Sequence, residues 1–472
     1  MKTRKRLLLV FTAVVLLISV PAAGAGVPMR PTATVEKDTA WEGKVLVEGP
    51  VTVRKGATLT VKPGAEVSFA KGAGLTAEGI LIAKGSAEAA VRFVSSGASP
   101  FPGDWEGIRF ADSSAGSVLS RCVILGAGAV DISGQGIEIV HCEIGKGKNG
   151  LIVRQKSNPR IAGNTIVDMS EGGIQCAQES FPVIEGNVLR SCGPFGIACD
   201  RNAAPVLREN EISACERGLA FTGVIPPVEK NVFRKNGAGV VAVTSGSRQI
   251  LRGNRFEGNE TGLLCEQFSD PTVEGNSFTG NAAALVCFRS SSPLIRNNEV
   301  SGNENGIVAS QLSRPRIVAN EIHGNKKGIF LTLSSYATVN GNNIHGNEVQ
   351  MELGLMSSDW ERKTREKPLR GGAAQQANQA DRGIAASGQG EGEKEAVKAS
   401  VDATGNWWGE KDTGEMERKG PEANIGGLVD YYDAPVHPSE GYPGVYEQDR
   451  IRYEGWRKSR VPDAGLPKES GS

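Results

Sequence analysis

Four histidines and eight cysteines are the side chains in this 472-residue sequence best suited to metal or redox chemistry. His323 and His345 lie 22 residues apart, while His141 and His437 have no evident partner. Two imidazoles one above the other could ligate a metal, although Asn320 and Asn342 beside them are poor further ligands. The cysteines fall into four pairs, Cys122/Cys142, Cys176/Cys199, Cys192/Cys215 and Cys265/Cys287. No C-x-x-C occurs, so a zinc reading has little support. Stacked thiols can serve as small core fillers. Neighbouring parallel strands stand about 4.8 Å apart, which also permits disulfides. In-register strands point both β-carbons the same way and strain that bond. Turns have more freedom, so Cys192/Cys215 is the candidate disulfide and Cys176/Cys199 the expected free pair.

What stacks these residues is a repeat. A phrase close to P-x-I-x-G-N-x-I-x-x-N-x-x-G-I recurs through the middle of the chain. Its first Asn falls at Asn164, Asn187, Asn210, Asn231, Asn254, Asn276, Asn298, Asn320 and Asn342, at spacings of 21 to 23. Cys122 and Cys142 hold the same place in two earlier turns. A second ladder runs five residues later, from Cys192 and Cys215 through Asn236, Asn259, Asn281, Asn303 and Asn325 to Asn347. A period near 22 is too short for paired-helix repeats, and the L-x-x-L-x-L-x-x-N wording of leucine-rich repeats is absent. Short β-branched runs broken by Gly, Asn and Pro read instead as strand–turn–strand–turn. Such a coil forms three strands, each pairing in parallel with its equivalent in the next coil, with Asn side chains bonding up the stack. The glycine of Gly-Ile is expected to supply backbone conformations closed to other residues.

The fold class is therefore all-β: a single-chain right-handed parallel β-helix of about 14 coils, roughly 65 Å long at the parallel strand spacing. Residues 26–120 read as the N-terminal cap and first coils, and 121–356 as the regular repeats. Residues 357–400, rich in Gly, Ala, Gln, Glu and Lys without periodicity, read as a disordered insertion. Residues 401–472 read as the last coil and a tail, with Asn406-Trp407-Trp408-Gly409 resuming the phrase. Residues 1–25 resemble a secretory signal: Lys2, Arg4, Lys5 and Arg6, an apolar run from Leu7 to Val20, then Ala23-Gly24-Ala25. The mature chain is then periplasmic or extracellular, with no membrane span after cleavage. Its 53 basic and 53 acidic residues balance, which gives no pull toward nucleic acid.

Period-two alternation along the Gly-Ile strand sets which residues face out. One outward row carries only two acids, Asp200 and Glu266, three coils or about 14 Å apart. Glycosidase carboxylates stand roughly 5–10 Å apart, so these two are weak catalytic candidates. The neighbouring row, Val241, Leu264, Val286, Val308 and Phe330, is apolar and marks a contact surface. Residues 430–460 hold most of the tyrosines, and the expectation is that they fold back over part of that row.

The repeat wording resembles that of carbohydrate-binding and sugar-hydrolase β-helices and of the NosD family of periplasmic copper-maturation proteins. The resemblance spans about residues 120–350 and is specific for fold rather than activity. It implies three functions: an exported scaffold or binding protein engaging a polysaccharide or protein, a polysaccharide lyase, hydrolase or epimerase, or a copper-maturation factor. No catalytic constellation is visible, so the first is preferred. No cofactor is expected. His323 and His345 are the weak candidates for metal.

Overall fold

The computed structural model describes residues 28–97, 101–200, 202–359, 400–438 and 445–467. The signal-like segment and residues 360–399 of the insertion lie outside the described residues. The chain winds as a right-handed all-β parallel β-helix of about 14 turns. Each regular coil gives one short strand to each of three sheets. Thr165–Val167 belongs to sheet A, Gly172–Cys176 to sheet B and Val183–Glu185 to sheet C. The sheets have 14, 16 and 16 strands respectively, and within each every neighbour is parallel.

Registration puts like residues above like. Phe256 pairs with Phe278 in sheet A, Leu263 with Leu285 in sheet B and Val273 with Ile295 in sheet C. All six are fully buried. The rings of Phe256 and Phe278 stack with centroids 4.5 Å apart. Each such side chain contributes about 2 kcal/mol of burial, and the contribution repeats coil by coil.

The two asparagine ladders close the turns on either side of sheet A. Asn276 Oδ1 accepts from the backbone N–H of Asn254 at 2.9 Å and from its Nδ2 at 3.0 Å, while Asn276 Nδ2 donates to Asn298 Oδ1 and to the Leu251 carbonyl. The asparagine rungs from Asn187 to Asn342 and from Asn259 to Asn325 repeat this pattern. The rungs are buried, so their amides are satisfied by one another rather than by water.

The glycine of Gly-Ile has a different role from the one expected. Gly218 and Gly239 are not left-handed; a β-carbon on either would lie 2.5 Å from the carbonyl oxygen of the next coil's glycine. Close approach of backbones selects glycine there. Left-handed φ occurs instead at the residue before each ladder asparagine, where Gly253 (φ 64°) and Ala319 (φ 55°) both adopt it.

At the C-terminal end Asn406 Oδ1 accepts from Asn342 N and Nδ2 at 2.8 and 2.9 Å, continuing the first ladder 64 residues on. A helix, α1 (Gly409–Lys419), follows; the sequence reading contained no helix. Leu428–Val429 ends sheet B and Arg450–Arg452 ends sheet C. Ser357 and Ser358, assigned to the insertion by composition, are buried, and the Ser358 N–H bonds the Asp449 carboxylate at 3.0 Å. Gln448 Nε2 of the tail donates to the Leu353 and Gly354 carbonyls at the end of sheet B, and the described residues after 460 turn back along the rod beside sheet A. Val461 N–H donates to Asn343 Oδ1, Gly465 N–H to the Ala319 carbonyl and Asn297 Nδ2 to the Asp463 carbonyl. Its course follows turns beside sheet A, where polar backbone groups offer partners an apolar row cannot.

Candidate functional site

The broad outward surface of sheet B changes character along the rod. One in-register row runs Thr52, Thr76, Arg109, Asp131, Ile152, Gln175 and Ala198. It continues through Ala220, Val241, Leu264, Val286, Val308 and Phe330. Val241 is just buried and the next four are half-buried; the Lys327 ammonium lies 4.6 Å from the Phe330 ring centre. Beside them, at the turn leaving the sheet, Phe268, Leu312 and Leu333 are 54%, 46% and 41% exposed. Phe268 and Leu312 hold φ of 59° and 64°, a conformation that bulky residues rarely adopt.

Sequence-selected Asp200 and Glu266 lie three coils apart on the adjoining outward row. Each already has a local partner. Asp200 accepts from the Gln178 and Asn202 N–H groups at 3.1 and 3.2 Å, tying a turn. Glu266 pairs with Arg289 at 2.9 Å, and that guanidinium lies 5.0 Å from the Phe288 ring centre. The fold does not bring the two acids together.

It does bring together three residues that sequence reasoning missed. Asp131 stands beside Arg109 in register, and Arg154 Nε is 3.1 Å from Asp131 Oδ1. Neither of those two atoms makes a well-directed hydrogen bond. Burial raises the Asp131 carboxyl, and the two guanidiniums pull it back only in part. Asp131 lies in Ala127–Ile132, a coil whose marker position is cysteine rather than asparagine. Aligning Val130-Asp131-Ile132-Ser133 with Leu151-Ile152-Val153-Arg154 of the next coil sets Asp131 and Arg154 diagonally across neighbouring strands and would have revealed it.

His323 and His345 stack as foreseen, with ring centroids 5.3 Å apart and planes 6° from parallel. Each leans on a glutamate: His345 Nε2 is 2.6 Å from Glu321 Oε1, and His323 Nε2 is 3.5 Å from Glu299. Glu321 is also held by Arg460 and Asn343. Burial alone would raise its carboxyl; the bonds from His345, Arg460 and Asn343 outweigh that and bring it to about 2. Among the described residues, no group of three His, Cys, Asp or Glu side chains is arranged to hold a metal ion. All eight cysteines are buried thiols, and the side chains of the Cys122/Cys142, Cys176/Cys199 and Cys192/Cys215 pairs each lie within hydrogen-bonding reach.

Sheet C faces outward with alternating charge. Glu185 bridges Arg160 and Arg208, and Glu274 bridges Arg252 and Arg296. The face is self-neutralised and offers no stripe of one sign to a charged polymer. Among the described residues no helix is long and apolar enough to cross a membrane.

Two family models match the chain: a right-handed β-helix region over residues 226–363 and the periplasmic copper-binding protein NosD over residues 107–286. Both matches fall on the coils that position these faces. Among solved structures, the periplasmic alginate epimerase AlgG, as a double mutant, is similar at 14% identity. That match covers 66% of this chain and 73% of the other, with a TM-score of 0.33. An alginate lyase from Paenibacillus sp. str. FPU-7 is also 14% identical, covering 52% and 91%, with a TM-score of 0.27. The mannuronan C-5 epimerase AlgE4 A-module of Azotobacter vinelandii is 15% identical, covering 65% and 83%, with a TM-score of 0.30. At such identities the likeness concerns the stacked-coil fold. A search of curated proteins finds no match.

Proposed function

We propose that this NosD-like β-helix is an exported binding scaffold whose sheet B face engages a protein partner. The observation that carries the reading is the apolar row from Val241 to Phe330, flanked by exposed Phe268, Leu312 and Leu333. Among the described residues, no hydrogen bond from the tail reaches this row. Five coils at the parallel spacing make it about 20 Å long and, with its flank, several hundred Å² in area. That is less than the roughly 800 Å² per partner of a stable standard interface, so it suits one amphipathic segment better than a second rod. The signal-like N-terminus supports export and a periplasmic or extracellular site of action.

Photo-crosslinking in the native compartment tests this. A crosslinker at Val286 should capture one partner protein, identified by mass, that a crosslinker at Thr76 on the same row does not. Capture of polysaccharide alone, or equal capture at both positions, would overturn the reading.

A second reading has one observation in its favour. Asp131 is a half-buried acid between two arginines on an outward face, the setting in which a carboxyl can exchange protons with a uronate polymer. The epimerase or lyase alternative therefore centres on Asp131 rather than on Asp200 and Glu266.

A further inference from the structure

The second asparagine ladder does not simply stop at the rod's C-terminal end. Gln350, 5% exposed, replaces the next rung: its Oε1 accepts from Asn347 Nδ2 at 2.8 Å and its Nε2 donates to Asp412 Oδ2 at 2.9 Å. A chain of aligned amides thus ends on a carboxylate in the first turn of α1. Their NH₂ ends point toward Asp412, which favours its charged form, although burial acts first and raises it. Asp412 is 2% exposed and, among the described residues, its other oxygen, Oδ1, has no hydrogen-bond partner. The indole N–H of fully buried Trp408 also lacks one.

Both side chains line a cavity of about 330 Å³ between the last coil and α1. That is the lower end of the range for small-molecule sites. Around its mouth Glu348 and Glu410 join Asp412, with Lys411 the only lining Lys or Arg. His345 also lines it but is engaged with Glu321. A buried carboxylate with one free oxygen is costly unless a cation or donor meets it.

We infer that this cavity binds a small organic ammonium ion, with Asp412 Oδ1 accepting from the ammonium and Glu410 and Glu348 attracting it. The claim concerns the end of the rod and stands apart from the sheet B partner. Calorimetric titration of the full chain with 1,4-diaminobutane, beside butane-1,4-diol of the same length, tests it. The diamine should bind saturably and the diol not at all. Asp412→Asn, which keeps an acceptor for Gln350, should weaken the diamine at least about tenfold, and exposed Glu410→Gln by a few fold. No diamine binding, or equal diol binding, would show a water-filled recess and overturn the site. Unchanged affinity in Asp412→Asn would do the same. Should Asp412→Asn fail to fold, unchanged affinity in Glu410→Gln would reject the charge argument.

Discussion

Glu321 and His345 sit on adjacent coils of sheet A with Oε1 and Nε2 2.6 Å apart, and Arg460 of the returning tail closes on the same carboxylate. One acid thereby joins two coils and the tail. Its carboxyl, near 2 when folded, would titrate near 4.3 unfolded. A depressed acid stabilises the fold fully above the unfolded value and loses that contribution as pH falls toward the folded one. Chemical denaturation should therefore show on the order of 2 kcal/mol lost between about pH 4.3 and 2. Glu321→Gln should be less stable at pH 7 and flatter across that window; an acid limb as steep as the parent's would reject the assignment.

The ladder itself can be weighed at Asn281. It accepts from Asn259 N and Nδ2 and donates to the Phe256 carbonyl and Asn303 Oδ1, all within buried surroundings. Asn281→Ala strands several of these groups and should cost about 2–4 kcal/mol in urea unfolding. Asn305→Ala, whose side-chain bond to the Ala282 carbonyl is 3.4 Å long, should stay within about 0.5 kcal/mol. Equal costs at the two positions would mean that the ladder adds nothing beyond the strands.

Sequence carried the repeat because the ladder bonds asparagine to asparagine, so the same residue type recurs along most rungs. Buried strand positions were legible for a similar reason, since like must stack on like. What the sequence hid are the places where a different residue does the repeat's work. Gln350 takes an asparagine's rung from within its own coil, and Asp131 sits in a coil lacking the asparagine marker. The tail's aromatics suggested an apolar target, but Tyr453 Oη accepts from the Ala423 N–H and donates toward nearby carbonyls, holding the end cap together. Asp200 and Glu266 lie three coils apart, as the period implies, and their partners, a turn backbone and Arg289, depend on rotamers that spacing does not reveal.

Thiol mapping addresses the cysteine stacks. Cys176 and Cys199 are strand partners in register, whereas Cys192 and Cys215 lie just past strand ends, where the backbone can adjust. In protein isolated from an oxidising compartment, labelling under denaturation without reductant should find Cys176 and Cys199 free and a Cys192–Cys215 linkage. The reverse pattern would contradict the geometric argument.

The most direct test of the scaffold reading is a panel of uronate and neutral polysaccharides scored at once for binding and for product release, with and without calcium. The purified full chain should release no product from any polymer, because Asp200 and Glu266 are committed to other partners and Asp131 has no second acid beside it in register. Product release that disappears in Asp131→Asn, or in Asp200→Ala or Glu266→Ala, would contradict the scaffold account and make the protein a polysaccharide-acting enzyme.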